Sequence, residues 1–232
     1  MTMIQRIVLI FCLLCLPIHR LTPAQAADTG RCHCFKVRRY DPQNRFAADD
    51  YLLATSFNSL LATTFAISKR QVVMLKMKAG IAPDDLLIAL YLARETGTGL
   101  ETILSLRKTH QSWGEILTEV WRQEEPPGDA VLPLLASPGK EEEAARLIVT
   151  RITADYFAVP RELVSSLQTD DLNGREVVLL LTLGRYSGLS LNELLDQHRR
   201  QSRSWSEIAF HLGLSPAQVG KLLLRDRPQQ TS

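Results

Sequence analysis

The chain has 232 residues, of which 27 are basic, 25 are acidic and 45% are hydrophobic. This length allows one large domain or two small ones with a buried core, and the composition excludes a disordered chain. Arg6 and Arg20 belong to a predicted leader that contains no acidic residue, so the remainder is formally neutral. A neutral chain lacks the summed positive field that steers proteins to nucleic acid, and we do not expect a nucleic-acid partner.

The first 26 residues have the pattern of a secretory signal peptide. Arg6 gives a positive start, the apolar run Ile7 to Leu16 follows, and Ala24-Gln25-Ala26 fits a cleavage site. The apolar run is shorter than the roughly 20 residues that a transmembrane helix needs. We predict cleavage after Ala26 and a periplasmic or secreted protein without a transmembrane helix after cleavage. An uncleaved N-terminal anchor is the alternative.

Residues 27–48 are predicted to form an irregular arm that carries Cys32, His33 and Cys34. The other two cysteines leave with the leader, so Cys32 and Cys34 are the only cysteines of the exported chain. The two thiols can form a strained disulfide, bind a soft metal such as copper(I) or zinc together with His33, or bridge to another chain. A structural disulfide or unused thiols are the simplest alternative. No cofactor is expected apart from such a metal.

The rest of the chain contains two matching segments. Residues 65–117 match residues 157–209, and we assign the first repeat to 49–123, the linker to 124–142, the second repeat to 143–214, and a terminal helix and tail to 215–232. In both segments the apolar residues recur at intervals of three and four, which is typical of helices. We therefore predict an all-α fold in which two tandem copies of a multi-helix repeat share one core, preceded by the irregular arm.

Matching residues in the two segments are predicted to anchor the fold. Aromatic core side chains and helix-ending glycines fall at corresponding positions, because only glycine enters the left-handed C-cap conformation without strain. A serine precedes each matching tryptophan and has a glutamate three residues after it, which is the pattern of an N-cap. The predicted anchors are Trp113 and Trp205, Phe65 and Phe157, and Gly97 and Gly188.

Residues 204–223 have the order of a helix-turn-helix, with a turn at Gly213 and a second helix opened by Ser215 and Pro216. The first half of this motif is shared with the first copy, where Glu124-Glu125-Pro126-Pro127 leaves no second helix to follow. We therefore interpret the last segment as a terminal helix that covers the open end of the second copy.

The chain contains no phosphate loop, nucleophile elbow or His-Glu-x-x-His motif. Paired carboxylates such as Asp84-Asp85 are explained as helix caps, and His110 and His198 as cations near helix ends. We expect an exported, non-enzymatic helical-repeat protein that binds a protein partner or assists envelope assembly. One alternative is a metal-binding or thiol-redox protein that uses Cys32, His33 and Cys34. The other is helix-turn-helix DNA binding.

Overall fold

The computed structural model describes residues 35–109, 112–121 and 130–225. Over these residues the chain forms twelve helices and no strand, which confirms the all-α prediction. No helix within the described ranges combines the length and the apolar character needed to cross a bilayer. In chain order the helices are α1 (Asp49–Thr64), α2 (Lys69–Lys78), α3 (Pro83–Thr96), α4 (Leu100–Thr109), α5 (Trp113–Val120), α6 (Val131–Ala136), α7 (Glu141–Phe157), α8 (Arg161–Thr169), α9 (Gly174–Ser187), α10 (Leu191–Arg199), α11 (Trp205–His211) and α12 (Pro216–Arg225).

Local sequence signals set several helix ends. Ser112 accepts a hydrogen bond from the backbone N–H of Glu115, and the Glu115 carboxylate accepts one from the Ser112 N–H, so α5 begins with a complete capping box. Gly97 ends α3 with φ of 68°, and Gly188 ends α9 with φ of 73°. Both glycines occupy the left-handed region, which other residues enter only at a cost.

A short helix lies inside the range that the sequence assigns to the linker. This helix, α6, buries Val131, Leu132 and Leu135 against α5 and α7. The following helix, α7, already begins at Glu141. The described part of the linker range therefore contains α6 and the start of α7, joined by a turn over residues 137–140, and it contributes to the core.

The first helix of each half packs against helices of the other half. From the N-terminal half (α1–α5), α1 packs on α9, α11 and α12, whereas from the C-terminal half (α7–α12), α7 packs on α3. Helix α7 also contacts α6, which directly precedes it, and α8 and α9 of its own half. The two long helices also contact each other. Buried residues of both halves, such as Leu60 of α1 and Leu180 of α9, belong to one hydrophobic cluster. This exchange places α1 and α7 side by side in the centre of the molecule.

The start of α9 fits tightly against α7 at Gly174. A Cβ atom at this position would lie 2.6 Å from Cγ1 of Val149. Since valine has little rotamer freedom in a helix, Gly174→Ala should lower the free energy of unfolding by about 1–3 kcal/mol. Chemical denaturation measures this loss. Gly99→Ala is the control, because its nearest neighbour lies at 3.7 Å, and an equal loss in both variants would contradict the expected clash.

Candidate functional site

A cavity of about 430 Å³ opens between α1 and α7, next to the first turns of α3 and α9. Its walls are formed by Asp50, Leu53, Ala54 and Phe57 of α1, by Glu142, Ala145, Arg146 and Val149 of α7, and by Phe35, Asp84, Gln168, Asn173, Gly174 and Arg175. The four α7 residues and the four α1 residues form pairs with one constant spacing along the chain, for example Glu142 with Asp50 and Val149 with Phe57. The same spacing separates Phe157 from Phe65. The cavity therefore lies where corresponding faces of the two helices meet.

Four helices place a charged residue at the cavity from the second position of their first turn. These residues are Asp50 of α1, Asp84 of α3, Glu142 of α7 and Arg175 of α9. The positive end of a helix dipole favours the three carboxylates and disfavours the guanidinium of Arg175. Arg146, one turn further along α7, adds a second guanidinium to the wall.

The charged groups of the cavity act on one another electrostatically without forming direct ion pairs. Within the described parts of the chain, none of these five side chains forms a direct ion pair. The Arg175 guanidinium lies instead 5.9 Å from the ring centroid of Phe57. Partial desolvation by the cavity walls raises the pKa of Asp84, and the nearby Glu142 carboxylate raises it further, against the opposing effect of Arg175.

A buried lysine lies behind the Phe57 ring. The ammonium group of Lys76 is 5.8 Å from the ring centroid and donates a hydrogen bond of 2.8 Å to Oδ1 of Asn58. Burial lowers the pKa of Lys76 to about 8, and the positive charge of Arg175 contributes to the same direction. A second lysine of α2, Lys69, donates a hydrogen bond of 2.6 Å to Thr55, and burial lowers its pKa to about 8. Both lysines thus have a neutral acceptor on α1.

The two predicted tryptophan anchors lie in corresponding environments. Trp113 and Trp205 are buried, with 0% and 1% of their surface exposed. Each indole N–H donates a hydrogen bond of 3.1 Å to a first-turn carboxylate, Asp85 of α3 for Trp113 and Glu176 of α9 for Trp205. Trp113 therefore connects α5 to the start of α3, and Trp205 connects α11 to the start of α9.

The two predicted phenylalanine anchors each carry an arginine over the ring. The guanidinium of Arg94 lies 5.1 Å from the ring centroid of Phe65, and that of Arg185 lies 4.6 Å from the ring centroid of Phe157. Phe157 is buried, whereas Phe65 is partly buried at the edge of the core. Arginine over an aromatic face is a stabilising contact.

An aromatic surface forms where the N-terminal arm crosses α11. The Arg45 side chain donates a hydrogen bond of 2.7 Å to Glu207, and the ring of Tyr40 lies 5.0 Å from that of Phe210. Phe46 and Phe210 have 58% and 56% of their surface exposed. Tyr40, Phe46 and Phe210 are called the arm–α11 surface below.

Cys32, His33 and Cys34 lie outside the described residues, as does His110. His198 stacks on Trp205 at a centroid distance of 4.1 Å, and its Nδ1 lies 2.8 Å from the carbonyl oxygen of Arg203. The described ranges contain no group of three or more His, Cys, Asp or Glu side chains arranged to hold a metal ion.

The second helix of the helix-turn-helix pattern, α12, packs along α1. Thr63 and Tyr156 each donate a hydrogen bond of 2.9 Å to the carbonyl oxygen of Leu223. Val219 is fully buried, and Lys221 lies on the exposed side. The inner face of α12 therefore belongs to the core.

Comparison of the chain with known protein families, curated proteins and solved structures gives no significant match.

Proposed function

We propose that the protein is an exported, non-enzymatic helical-repeat protein that binds a partner protein through the arm–α11 surface. The exposed rings of Phe46 and Phe210 are the observation that carries this proposal. Aromatic side chains are enriched at protein interfaces relative to the rest of the surface, which favours a binding role for these exposed rings. An envelope-assembly role is one form that such binding can take.

The arm–α11 surface is held in place before any partner arrives. The carbonyl oxygen of Arg45 accepts a hydrogen bond of 3.1 Å from the Ser206 hydroxyl, while its side chain contacts Glu207. The Asp49 carboxylate accepts bonds of 3.1 and 2.8 Å from the backbone N–H groups of Trp205 and Ser206, at the start of α11. A surface fixed in this way loses little conformational entropy on binding, which supports a binding role.

Three observations support the proposal that the chain contains two tandem copies of one repeat. The indole contacts of Trp113 and Trp205 go to corresponding carboxylates. The cavity is lined by residues of α1 and α7 at equal spacing. The long helices α1 and α7 each pack on the corresponding helix of the other half, α1 on α9 and α7 on α3. A shared core is what such copies need, since a single unit cannot cover its apolar faces.

Export to the periplasm or the medium is proposed from the leader pattern alone. The second candidate function, metal binding or thiol-redox chemistry at Cys32, His33 and Cys34, is likewise proposed from the sequence pattern alone, since these three residues lie outside the described ranges. A soft metal such as copper(I) or zinc remains the proposed ligand of that stretch.

Replacing both exposed rings should abolish partner binding without unfolding the protein. We expect Phe46→Ser combined with Phe210→Ser to reduce capture of a specific protein from the host envelope extract by about tenfold or more, because buried aromatic anchors dominate interface energies. Quantitative mass spectrometry of the captured proteins measures the effect. Met77→Ser is the matched control, since Met77 is an exposed apolar residue of α2 with 46% of its surface exposed. Equal losses in both variants would contradict a role of the arm–α11 surface.

A further inference from the structure

The cavity between α1 and α7 presents charges of both signs to the solvent. Three carboxylates, Asp50, Asp84 and Glu142, line it together with the guanidinium groups of Arg146 and Arg175. The carboxylates come from α1, α3 and α7, and the guanidinium groups from α7 and α9. The formal charge of the lining is therefore close to balance, and a ligand that carries one sign only would be attracted by one set of groups and repelled by the other.

The positive charge of Arg175 is unfavourable at its position in the first turn of α9. The corresponding second positions of the other three helices carry acids, which the dipole favours, whereas a cation at the first turn of α9 is disfavoured. Asn173 accepts hydrogen bonds from the Arg175 and Glu176 N–H groups, so the start of α9 is already capped. A bound anionic group at the Arg175 guanidinium would offset this unfavourable placement.

The size and the apolar lining of the cavity fit a small molecule. Its volume of about 430 Å³ falls in the range of small-molecule sites. Leu53, Phe57 and Val149 supply apolar surface in the same lining. Such surface can take a hydrocarbon side chain while the polar groups of the ligand contact the charged side chains.

We propose that this cavity binds a small zwitterion, a free α-amino acid or a short peptide. Its ammonium group contacts the carboxylates of Asp84 and Glu142, and its carboxylate contacts Arg175 and Arg146. The apolar residues hold the ligand side chain. This site goes beyond the partner-binding function and shares no residue with the arm–α11 surface, so either proposal can fail alone.

Calorimetric titration of the full chain recovered from its own host tests the proposal. The probes are the twenty common amino acids, one at a time, and glycylglycine. We expect one-to-one binding of at least one probe. Its methyl ester, which lacks the carboxylate, and its N-acetyl derivative, which lacks the ammonium group, should each bind about tenfold more weakly or worse. No binding at concentrations of about 10 mM, or equal binding of the blocked derivatives, would overturn the proposal.

Single substitutions test which side chains contact the carboxylate of the ligand and which contact its ammonium group. Arg175→Gln should weaken binding of the amino acid about tenfold and remove its advantage over the methyl ester, and Asp84→Asn should remove its advantage over the N-acetyl derivative. A merely structural role would weaken all three ligands alike, and that result would overturn the assignment. Arg161→Gln and Asp155→Asn are the controls, because this exposed pair lies outside the cavity. Circular dichroism shows whether each variant remains folded.

Discussion

Replacing Trp205 by alanine should lower the free energy of unfolding by about 3–5 kcal/mol. The side chain is 1% exposed, stacks on His198 and donates its indole N–H to Glu176, so its removal leaves a cavity and an acceptor without its donor. A loss of this size corresponds to a fall in Tm of roughly 10 °C for a chain of this size. Thermal and chemical denaturation measure both quantities.

Matched variants separate packing from hydrogen bonding at this position. Trp205→Phe keeps most of the apolar volume and should lower the free energy of unfolding by less than the alanine variant does. Glu176→Gln keeps an acceptor for the indole and should lower the free energy of unfolding by about 1 kcal/mol or less. Trp113→Ala should resemble Trp205→Ala, because Trp113 is equally buried and bonded to Asp85. A loss below about 1 kcal/mol in Trp205→Ala would show that the side chain is not a core anchor.

Raising the pH above 8 should stabilise the protein through Lys76. Its pKa in the folded state is about 8, against 10.5 as the ordinary value, because burial disfavours the charged form. Between these two values the unfolded chain binds a proton that the folded chain does not, so the free energy of unfolding rises with pH. The full contribution of this one group is about 3 kcal/mol. Asn58 and Phe57 face the ammonium group from α1, Arg175 acts on it from α9, and Asp84 from α3 opposes the shift.

The Lys76→Met variant isolates this effect. Denaturant titrations at pH 7.5 and 10 should show a smaller rise in stability for Lys76→Met than for the unaltered chain, by about 2–3 kcal/mol. Lys69 contributes in the same direction in both proteins, so its share cancels in the comparison. Lys140→Met is the control, since Lys140 is exposed and paired with Glu143 on the surface. An unchanged slope in Lys76→Met would contradict the lowered pKa.

Local sequence signals predict where the helices end, but they do not predict which helices pack against each other. Ser112 and Glu115 specify a cap within four residues, and Gly97 and Gly188 specify the ends of α3 and α9 through backbone conformation alone. No local signal states that α1 packs on α9 and α12 of the other half, because that choice depends on long-range contacts. The apolar residues of α6 form a helix because α5 and α7 cover them. The turn-forming residues on either side of α6 made this helix hard to predict from the sequence.

The sequence pointed to individual residues of the cavity without bringing them together. The interpretation of Asp84 as a helix cap is wrong: Asp84 lies in the first turn of α3, where the helix dipole favours a carboxylate, but the N-cap is Ala82 and no side chain caps this helix. The equal spacing between α1 and α7 residues is the sequence signal for the shared wall, since Glu142 follows Asp50 by the same number of positions by which Val149 follows Phe57, although the predicted linker range includes Glu142. Lys76 gave no signal, because lysine in a helix is usually exposed and only the placement of α2 against α1 buries it.

Site-specific photocrosslinking in the living host tests the central proposal most directly. A photoreactive amino acid replaces Phe210 in one strain and the control residue Met77 in another, and the adducts are recovered from the envelope after irradiation. We predict that position 210 gives an adduct with one defined protein, that position 77 does not, and that the crosslinked chain begins at Ala27. No adduct at position 210, or the same adducts at both positions, would contradict an exported protein that binds its partner through the arm–α11 surface.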